Sequence, residues 1–392
     1  VLLFVVFLAV AVPLYAAMHA YAYRKIIRAF PKPRGLKPVL VSALALLFMA
    51  PFLGRLFDHD GHVWLARAIN CPAYLWTAWI FWFCTAGLVL DLGTMIIRAL
   101  RPHAAIPSSV VDPSGTRMAR RKLGMIAVLL VVATVWGSIE AAHPRVRPMT
   151  VRTSRLAPGT PPLRIIHISD VHLSAFRGPQ WSHYLAGRVA ALKPDLLLST
   201  GDFIDSSIHN IGDQADDWAF IHPPFGKYAV LGNHEYYAGL DNAVAFHQKM
   251  GFRLLRGKGV DIGTGLRLYG IDDSTGLRLK VPCFNNESAL KKTADPGRFI
   301  ILLKHQPLLS PNSLDFYDLQ LSGHTHGGQI FPFHLLVGLF YPLKGGLRSV
   351  GERSQLYPNH GAGTWGPPFR LFAPPEIAVI TLLPDDAAPH LQ

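Results

Sequence analysis

Three cysteines, Cys71, Cys84 and Cys283, are all that 392 residues provide. Two of them fall in an apolar first third, so neither a disulfide framework nor a cysteine-based zinc site can be assembled. Charge is also scarce: 16% of residues are charged against 50% hydrophobic, and the mean hydropathy is +0.25. That balance excludes disorder and an ordinary soluble protein. Acidic residues are the scarcer sign, with 25 Asp and Glu against 38 Lys and Arg, for a net charge of +13. The excess is uneven. Residues 1–148 hold 16 basic and 5 acidic residues, whereas residues 149–392 hold 22 and 20. The basicity belongs to the apolar third, and the near-neutral remainder argues against a nucleic-acid partner. There is no internal repeat or low-complexity tract.

What the first third does contain is four apolar stretches, 2–23, 39–57, 71–97 and 123–142, each near the ~20 residues that a bilayer-spanning helix requires. A signal peptide would give one short apolar region with a small-residue cleavage site. The sequence therefore predicts a membrane domain over 1–147 with about four transmembrane helices and the lipid bilayer as a partner. Lys and Arg in short loops resist translocation. The first loop carries Arg24, Lys25, Arg28, Lys32, Arg34 and Lys37, and the third Arg98, Arg101, Arg117, Arg120, Arg121 and Lys122. The second, with Asp58, Asp60 and Arg67, is nearly neutral. This pattern places the first and third loops in the cytoplasm and everything after the fourth span outside it. Arg145, Arg147, Arg152 and Arg155, just beyond that span, weigh the other way. Asp91 lies inside the third span and is expected to sit near an interface or pair with a neighbouring helix.

Residues 148–162 are polar and proline-punctuated, as a linker is, and a domain over 163–392 is long enough for a full core. Within it, short apolar runs end abruptly in chemistry-bearing residues. The run 163–168 leads into Asp170 and His172, and 196–198 into Asp202. The run 228–231 leads into Asn233, His234 and Glu235, 300–303 into His305, and 319–321 into His324 and His326. Helical spacing over 181–192 and a second helix at 241–249 supply crossovers between strands, and a further strand is expected at 376–382. Open α/β sheets bind ligands at the carboxyl ends of their strands, where this pattern puts the polar residues.

Asp170 and His172, two apart, would project to one side of an extended strand end. With Asp202, Asn233, His305, His324 and His326 they make seven donors of mixed hardness, too many for one tetrahedral zinc. Two divalent ions bridged by a carboxylate, a clamp suited to phosphoryl transfer, fit the set better. Neutral imidazoles and an amide keep the site from repelling phosphate. His, Asp and Asn suit Mn, Fe and Zn alike.

The ordered series D-V-H, G-D-F-I-D, G-N-H-E, K-H-Q-P and G-H-T-H-G-G-Q-I, followed by G-A-G-T-W-G-P-P-F-R and P-P-E-I, resembles the calcineurin-like metallophosphoesterases, in particular their bacterial branch with an N-terminal membrane anchor. The resemblance runs from about Leu163 to Leu382. It implies an α/β fold of four layers, with two mixed β-sheets packed face to face and flanked by helices. It implies that Asp170, His172 and His326 hold one metal ion, that Asn233, His305 and His324 hold the other, and that Asp202 bridges them. His234 matches the histidine that contacts the scissile phosphate and protonates the leaving oxygen.

The implied activity is hydrolysis of a phosphodiester, pyrophosphate or phosphomonoester, lipid-linked esters included, by metal-bound hydroxide. One resembling branch cuts a pyrophosphate in nucleotide-linked lipids made in the cytoplasm, and an outward-facing unit would meet an envelope phospholipid or lipid-linked phosphate instead. A non-catalytic metal-binding scaffold or receptor is the alternative, disfavoured because a structural metal site has no use for His234. His167 reads as packed or supporting, and Asp205 and Glu235 as orienting loops or ligands. Arg370 and His360 are candidates to reach substrate from the late Gly-rich region. His183, His209, His222, His247, His334 and His390 read as surface or structural.

Overall fold

In the computed structural model, residues 2–31, 35–100, 115–174, 177–205, 208, 211–263, 265–341 and 345–385 are described. Lys32, Arg34, Arg101, His209 and His390 lie outside them. The chain divides into two units, one of Val1–Ser138 with Gly366–Pro368 and the other of Ile139–Trp365 with Phe369–Gln392.

The first unit is built from long helices: α1 (Leu2–Ala29), α2 (Leu36–His59), α3 (Val63–Leu100) and α4 (Thr116–Ala142). Among the described residues three stretches, Leu36–Asp58, Trp64–Ile97 and Thr116–Ala142, are long and apolar enough to cross a membrane. The second loop is shorter than its charges indicate. Asp58 falls within α2 and Arg67 within α3, leaving Asp60–His62 between the helices, because helical hydrogen bonding carries on past the apolar stretch. Asp91 is paired: it accepts from the Tyr21 hydroxyl at 2.9 Å, Lys25 at 2.6 Å and Lys122 at 2.9 Å. Groups from α1 and α4 thus satisfy a carboxylate on α3 that apolar surroundings would otherwise disfavour.

The second unit contains strands β1 (Arg145–Thr153), β2 (Leu163–Ile168), β3 (Leu196–Ser199), β4 (Lys227–Ala229), β5 (Arg253–Leu254), β6 (Lys258–Ile262), β7 (Leu266–Gly270), β8 (Phe299–Leu303), β9 (Leu319–Ser322), β10 (Arg348–Ser349), β11 (Gln355–Pro358) and β12 (Glu376–Pro384). Helices α5 (Gly178–Ala191), α6 (Asp216–Ala219), α7 (Asn233–Tyr237), α8 (Leu240–Lys249), α9 (Thr275–Leu279), α10 (Glu287–Lys291) and α11 (Phe333–Phe340) join them. One six-stranded sheet has the order β1-β12-β2-β3-β4-β5 and the other β10-β11-β9-β8-β7-β6. Both are mixed: β12 runs antiparallel to β2 in the first, and β6 to β7 and β10 to β11 in the second.

Strand periodicity sorts the core into layers. In β8, Ile301 and Leu303 enter the cluster between the sheets, whereas Ile300 and Leu302 face outward with Tyr269 and Phe316. In β2, Ile165 joins the same inner layer, and Ile166 and Ile168 pack outward with Trp181, Leu185 and Val189 of α5. Two sheets face to face with helices outside give the four-layer α/β sandwich expected from the sequence.

The segment 148–162 differs from the linker expectation. Arg145–Thr153 pairs in parallel with β12 from Arg145↔Glu376 to Thr153↔Pro384, so the polar run begins as an edge strand whose outer face tolerates charge. Three of the arginines counted against the outside placement are ion-paired here: Arg145 to Glu140 at 3.2 Å, Arg147 to Glu376 at 3.6 Å and Arg155 to Asp318 at 2.9 Å.

Candidate metal centre

The parallel strands β2, β3, β4, β8 and β9 all stop where ligand chemistry begins. β2 ends at Ile168, two residues before Asp170, and β9 ends at Ser322, two before His324. The expectation of an extended strand end for Asp170 and His172 is not met: their φ values are +50° and +49°. Asp202, His324 and His326 share this left-handed backbone at +51°, +70° and +50°. Such conformations cost on the order of 1–3 kcal/mol each and persist where surrounding structure enforces them. Here they turn the chain sharply, so that residues two apart aim at one point.

The enforcing contacts are identifiable. The Asp170 carboxylate accepts the His324 backbone N–H at 3.0 Å, tying the β2 end to the β9 end. Asp202 Oδ1 accepts the His234 N–H at 2.8 Å. Glu235, fully buried, accepts backbone N–H groups from Asp202 (2.9 Å), Phe203 (2.7 Å), Ile204 (3.4 Å) and Gly232 (2.8 Å). It orients the loop, as read from the sequence. Two glycines permit the close approach: a Cβ on Gly232 would run into the Asp202 carboxylate, and one on Gly323 into that of Asp170.

The seven sequence candidates are brought together. Asp170, His172 and His326 form one group of donor atoms within 4.8 Å of one another, and Asp202, His305 and His324 form another. His172 Nε2 lies 3.1 Å from His326 Nε2, which is 3.4 Å from Asp170 Oδ1. In the second group His305 Nε2 lies 3.2 Å from Asp202 Oδ2, 3.1 Å from Asn233 Oδ1 and 3.1 Å from His324 Nδ1. The same Asp202 Oδ2 stands 3.9 Å from His172 Nε2, so this carboxylate lies between the groups. Burial opposes charge on Asp202 and His305, yet their contact outweighs it: the carboxyl sits well below its usual range and the imidazole well above.

This donor set fits two divalent cations. Buried oxygens and imidazole nitrogens from separate strand ends converge in two groups, each with its own histidine pair and a carboxylate, and Asp202 can serve both.

A third group, His172, Asp205 and His234, involves the far side of His172. His234 Nδ1 is 2.6 Å and His172 Nδ1 3.5 Å from the same Asp205 Oδ1. A carboxylate on the second nitrogen of a ligating imidazole fixes its orientation and raises its basicity. Burial works against the Asp205 charge, but the His234 and His172 imidazoles outweigh it and hold the carboxyl well below its usual range. The sequence placed Asp205 among orienting groups; it did not reveal that one carboxylate serves two histidines. The signal available was the second Asp of G-D-F-I-D, three residues after Asp202.

Arg370 does not face substrate. It is fully buried, and its guanidinium donates to the carbonyls of His326 (2.7 Å), His360 (2.8 Å) and Gly363 (2.6 Å) and lies 3.0 Å from His326 Nδ1. Burial draws it down to about 10, and its contacts make it the brace of the last ligand loop. His167, also fully buried, has Nε2 2.9 Å from Thr200 Oγ1, and the Thr200 carbonyl lies 2.8 Å from His305 Nδ1. Burial pushes His167 down to about 3. It is a supporting residue one step behind His305. His183 and His222 are exposed and His247 is fully buried.

The calcineurin-like phosphoesterase profile matches residues 163–328. An uncharacterized metallophosphoesterase of Aquifex aeolicus is 37% identical over 258 residues, covering 66% of this chain and 97% of that protein. A transmembrane protein with metallophosphoesterase domain from Danio rerio is 28% identical over 358 residues, 86% of this chain and 79% of its own. A dimetal phosphatase structure from Danio rerio aligns at 12% identity with a TM-score of 0.35, covering 56% of this chain and 98% of that one.

Proposed function

From the premise that this chain belongs to the calcineurin-like metallophosphoesterase family, we propose that it is a membrane-anchored hydrolase of phosphate esters. The substrate is a phosphodiester, a pyrophosphate or a phosphomonoester, lipid-linked esters included, and the phosphoesterase unit faces away from the cytoplasm. The observation that carries the reading is the position of Asp202 Oδ2, 3.2 Å from His305 Nε2 and 3.9 Å from His172 Nε2, between two donor groups.

In this reading Asp170, His172 and His326 would hold one divalent ion, Asn233, His305 and His324 would hold the other, and Asp202 would serve both. When bound, such a pair supplies Lewis acidity toward the phosphoryl oxygens and lowers the pKa of coordinated water. The chain's own residues do the rest. Arg370 and Glu235 fix the ligand loops so that the donors need not reorganise. His234, oriented through Nδ1 by Asp205 at 2.6 Å, contacts the phosphate and delivers a proton to the leaving oxygen.

The test is hydrolysis by the full-length protein in detergent or nanodiscs with added Mn, Fe or Zn, using bis(p-nitrophenyl) phosphate, a pyrophosphate and p-nitrophenyl phosphate. Metal-dependent turnover of at least one is expected. No turnover of any ester under any of the three metals would leave the metal-binding scaffold as the better reading.

A further inference from the structure

The helix α11, Phe333–Phe340, reads F-H-L-L-V-G-L-F. It carries no charged residue, and none of its residues is buried. Leu335, Leu336, Leu339 and Phe340 are 59%, 50%, 77% and 76% exposed. An apolar helix face that stays uncovered calls for lipid or a partner. The second unit supplies no core for this one, so its apolar surface calls for surroundings outside the unit.

Both ends of α11 are fastened to the candidate metal centre. At its start, a Cβ on Gly328, two residues after the ligand His326, would run into the backbone of His334. At its end, the Tyr341 ring lies 5.5 Å from that of His324, and its hydroxyl donates to Gln306 Oε1 at 3.2 Å. The exposed Trp365 approaches from another side, its ring 6.1 Å from that of His234. Exposed apolar surface thus borders residues assigned to metal and to phosphate.

We propose that α11 inserts into the surface of the bilayer that holds this chain, and that the phosphate ester it brings to the metal centre belongs to a lipid of that bilayer. The proposal rests on the phosphoesterase reading above. Lipid is the occupant for two reasons. α4, apolar enough to span a membrane, passes into β1 with only His143 and Pro144 between them. Two extended residues reach roughly 7 Å, so the first strand of the second unit begins within that distance of the end of the span. In addition, the exposed side chains at 335, 336, 339 and 340 share one face of α11, with His334 and Val337 half-buried on the other, which is the arrangement of a helix lying in the headgroup boundary. Apolar side chains set about 5–10 Å into the headgroup boundary would hold the adjoining site near the depth of lipid phosphates.

The experiment uses the full-length protein in vesicles of phosphatidylcholine and phosphatidylglycerol, with Cys71, Cys84 and Cys283 replaced and one cysteine introduced at Leu336, Leu339 or the exposed Lys249. Each is labelled with an environment-sensitive fluorophore, and lipids with a quencher near the headgroup are added. Quenching at 336 and 339 at least threefold greater than at 249 is expected. Equal quenching at the three positions would overturn the insertion.

The paired variant Leu336→Asp/Leu339→Asp gives the second readout. It should hydrolyse soluble bis(p-nitrophenyl) phosphate within twofold of wild type and lose tenfold or more on phosphatidylglycerol or phosphatidic acid in vesicles. Equal losses on soluble and lipid esters would reduce α11 to a structural part and overturn the proposal. Strong quenching in a wild-type protein that hydrolyses no ester would instead establish the membrane contact and remove the phosphoesterase reading.

Discussion

His234 and Asp205 are joined by a 2.6 Å contact between Nδ1 and Oδ1, both side chains being nearly buried. The same oxygen stands 3.5 Å from Nδ1 of His172, a candidate metal ligand. One carboxylate therefore sets the ring orientation of a ligand and of the proposed proton donor. Asp205→Asn should lower kcat by roughly 10–100-fold and move the basic limb of the pH–rate profile to lower pH, because the protonated donor histidine loses the carboxylate that favours its charge. A loss of kcat with an unchanged pH profile would reduce Asp205 to a structural role.

His234→Ala separates an enzyme from a scaffold. Proton donation typically contributes 10²–10⁴-fold, so the variant should retain its metal complement yet lose roughly 10²-fold or more on an ester with a poor leaving group. An activated aryl ester, whose leaving oxygen needs no proton, should lose less. Kinetics on both esters beside metal analysis check this, and equal losses would remove the acid role.

Glu235 accepts four backbone N–H groups, three of them from Asp202, Phe203 and Ile204. Glu235→Gln turns an amide N–H₂ toward those donors and leaves some unsatisfied, at a cost of roughly 1–3 kcal/mol. A lower melting temperature and weaker metal retention are expected, measured by thermal unfolding and by metal content after dialysis. Wild-type values for both would show that the loop holds its shape without the clamp.

These loops mark where the sequence was legible and where it was not. The strands β2, β3, β4, β8, β9 and β12 and the helices α5 and α8 were readable because each buries a regular apolar pattern and ends in turn-forming polar residues. The seven candidate donors, which the folded chain brings together, were readable because they follow those runs. β1 was hidden: an edge strand pairs through its backbone, and Arg145, Arg147 and Arg152 give it no apolar alternation. The short strands β5 and β10, two residues each, carry no period at all. The left-handed turns at Asp170 and His172 were also hidden, since non-glycine residues rarely adopt them and contacts from distant loops impose them here. Arg370 looked like a substrate group because charge in a Gly-rich loop is usually exposed; only the folded chain shows carbonyls of three loop residues converging on it.

Topology is checked with single cysteines in a cysteine-free background, one at Lys37 in the first turn of α2 and one at Lys292 in the phosphoesterase unit. A membrane-impermeant thiol reagent on intact cells should label position 292 and spare position 37. The reverse would place the unit in the cytoplasm and restore nucleotide-linked lipids made there as the substrate class to test.

The central claim is that Asp202 serves two metal ions in one hydrolytic site. Its most direct test is turnover of bis(p-nitrophenyl) phosphate by full-length Asp202→Asn, with metal content determined on the same sample. Loss of the shared charge predicts abolished turnover and fewer than two bound ions per chain, with the fold retained by circular dichroism. Near-normal turnover with a full metal complement would contradict it.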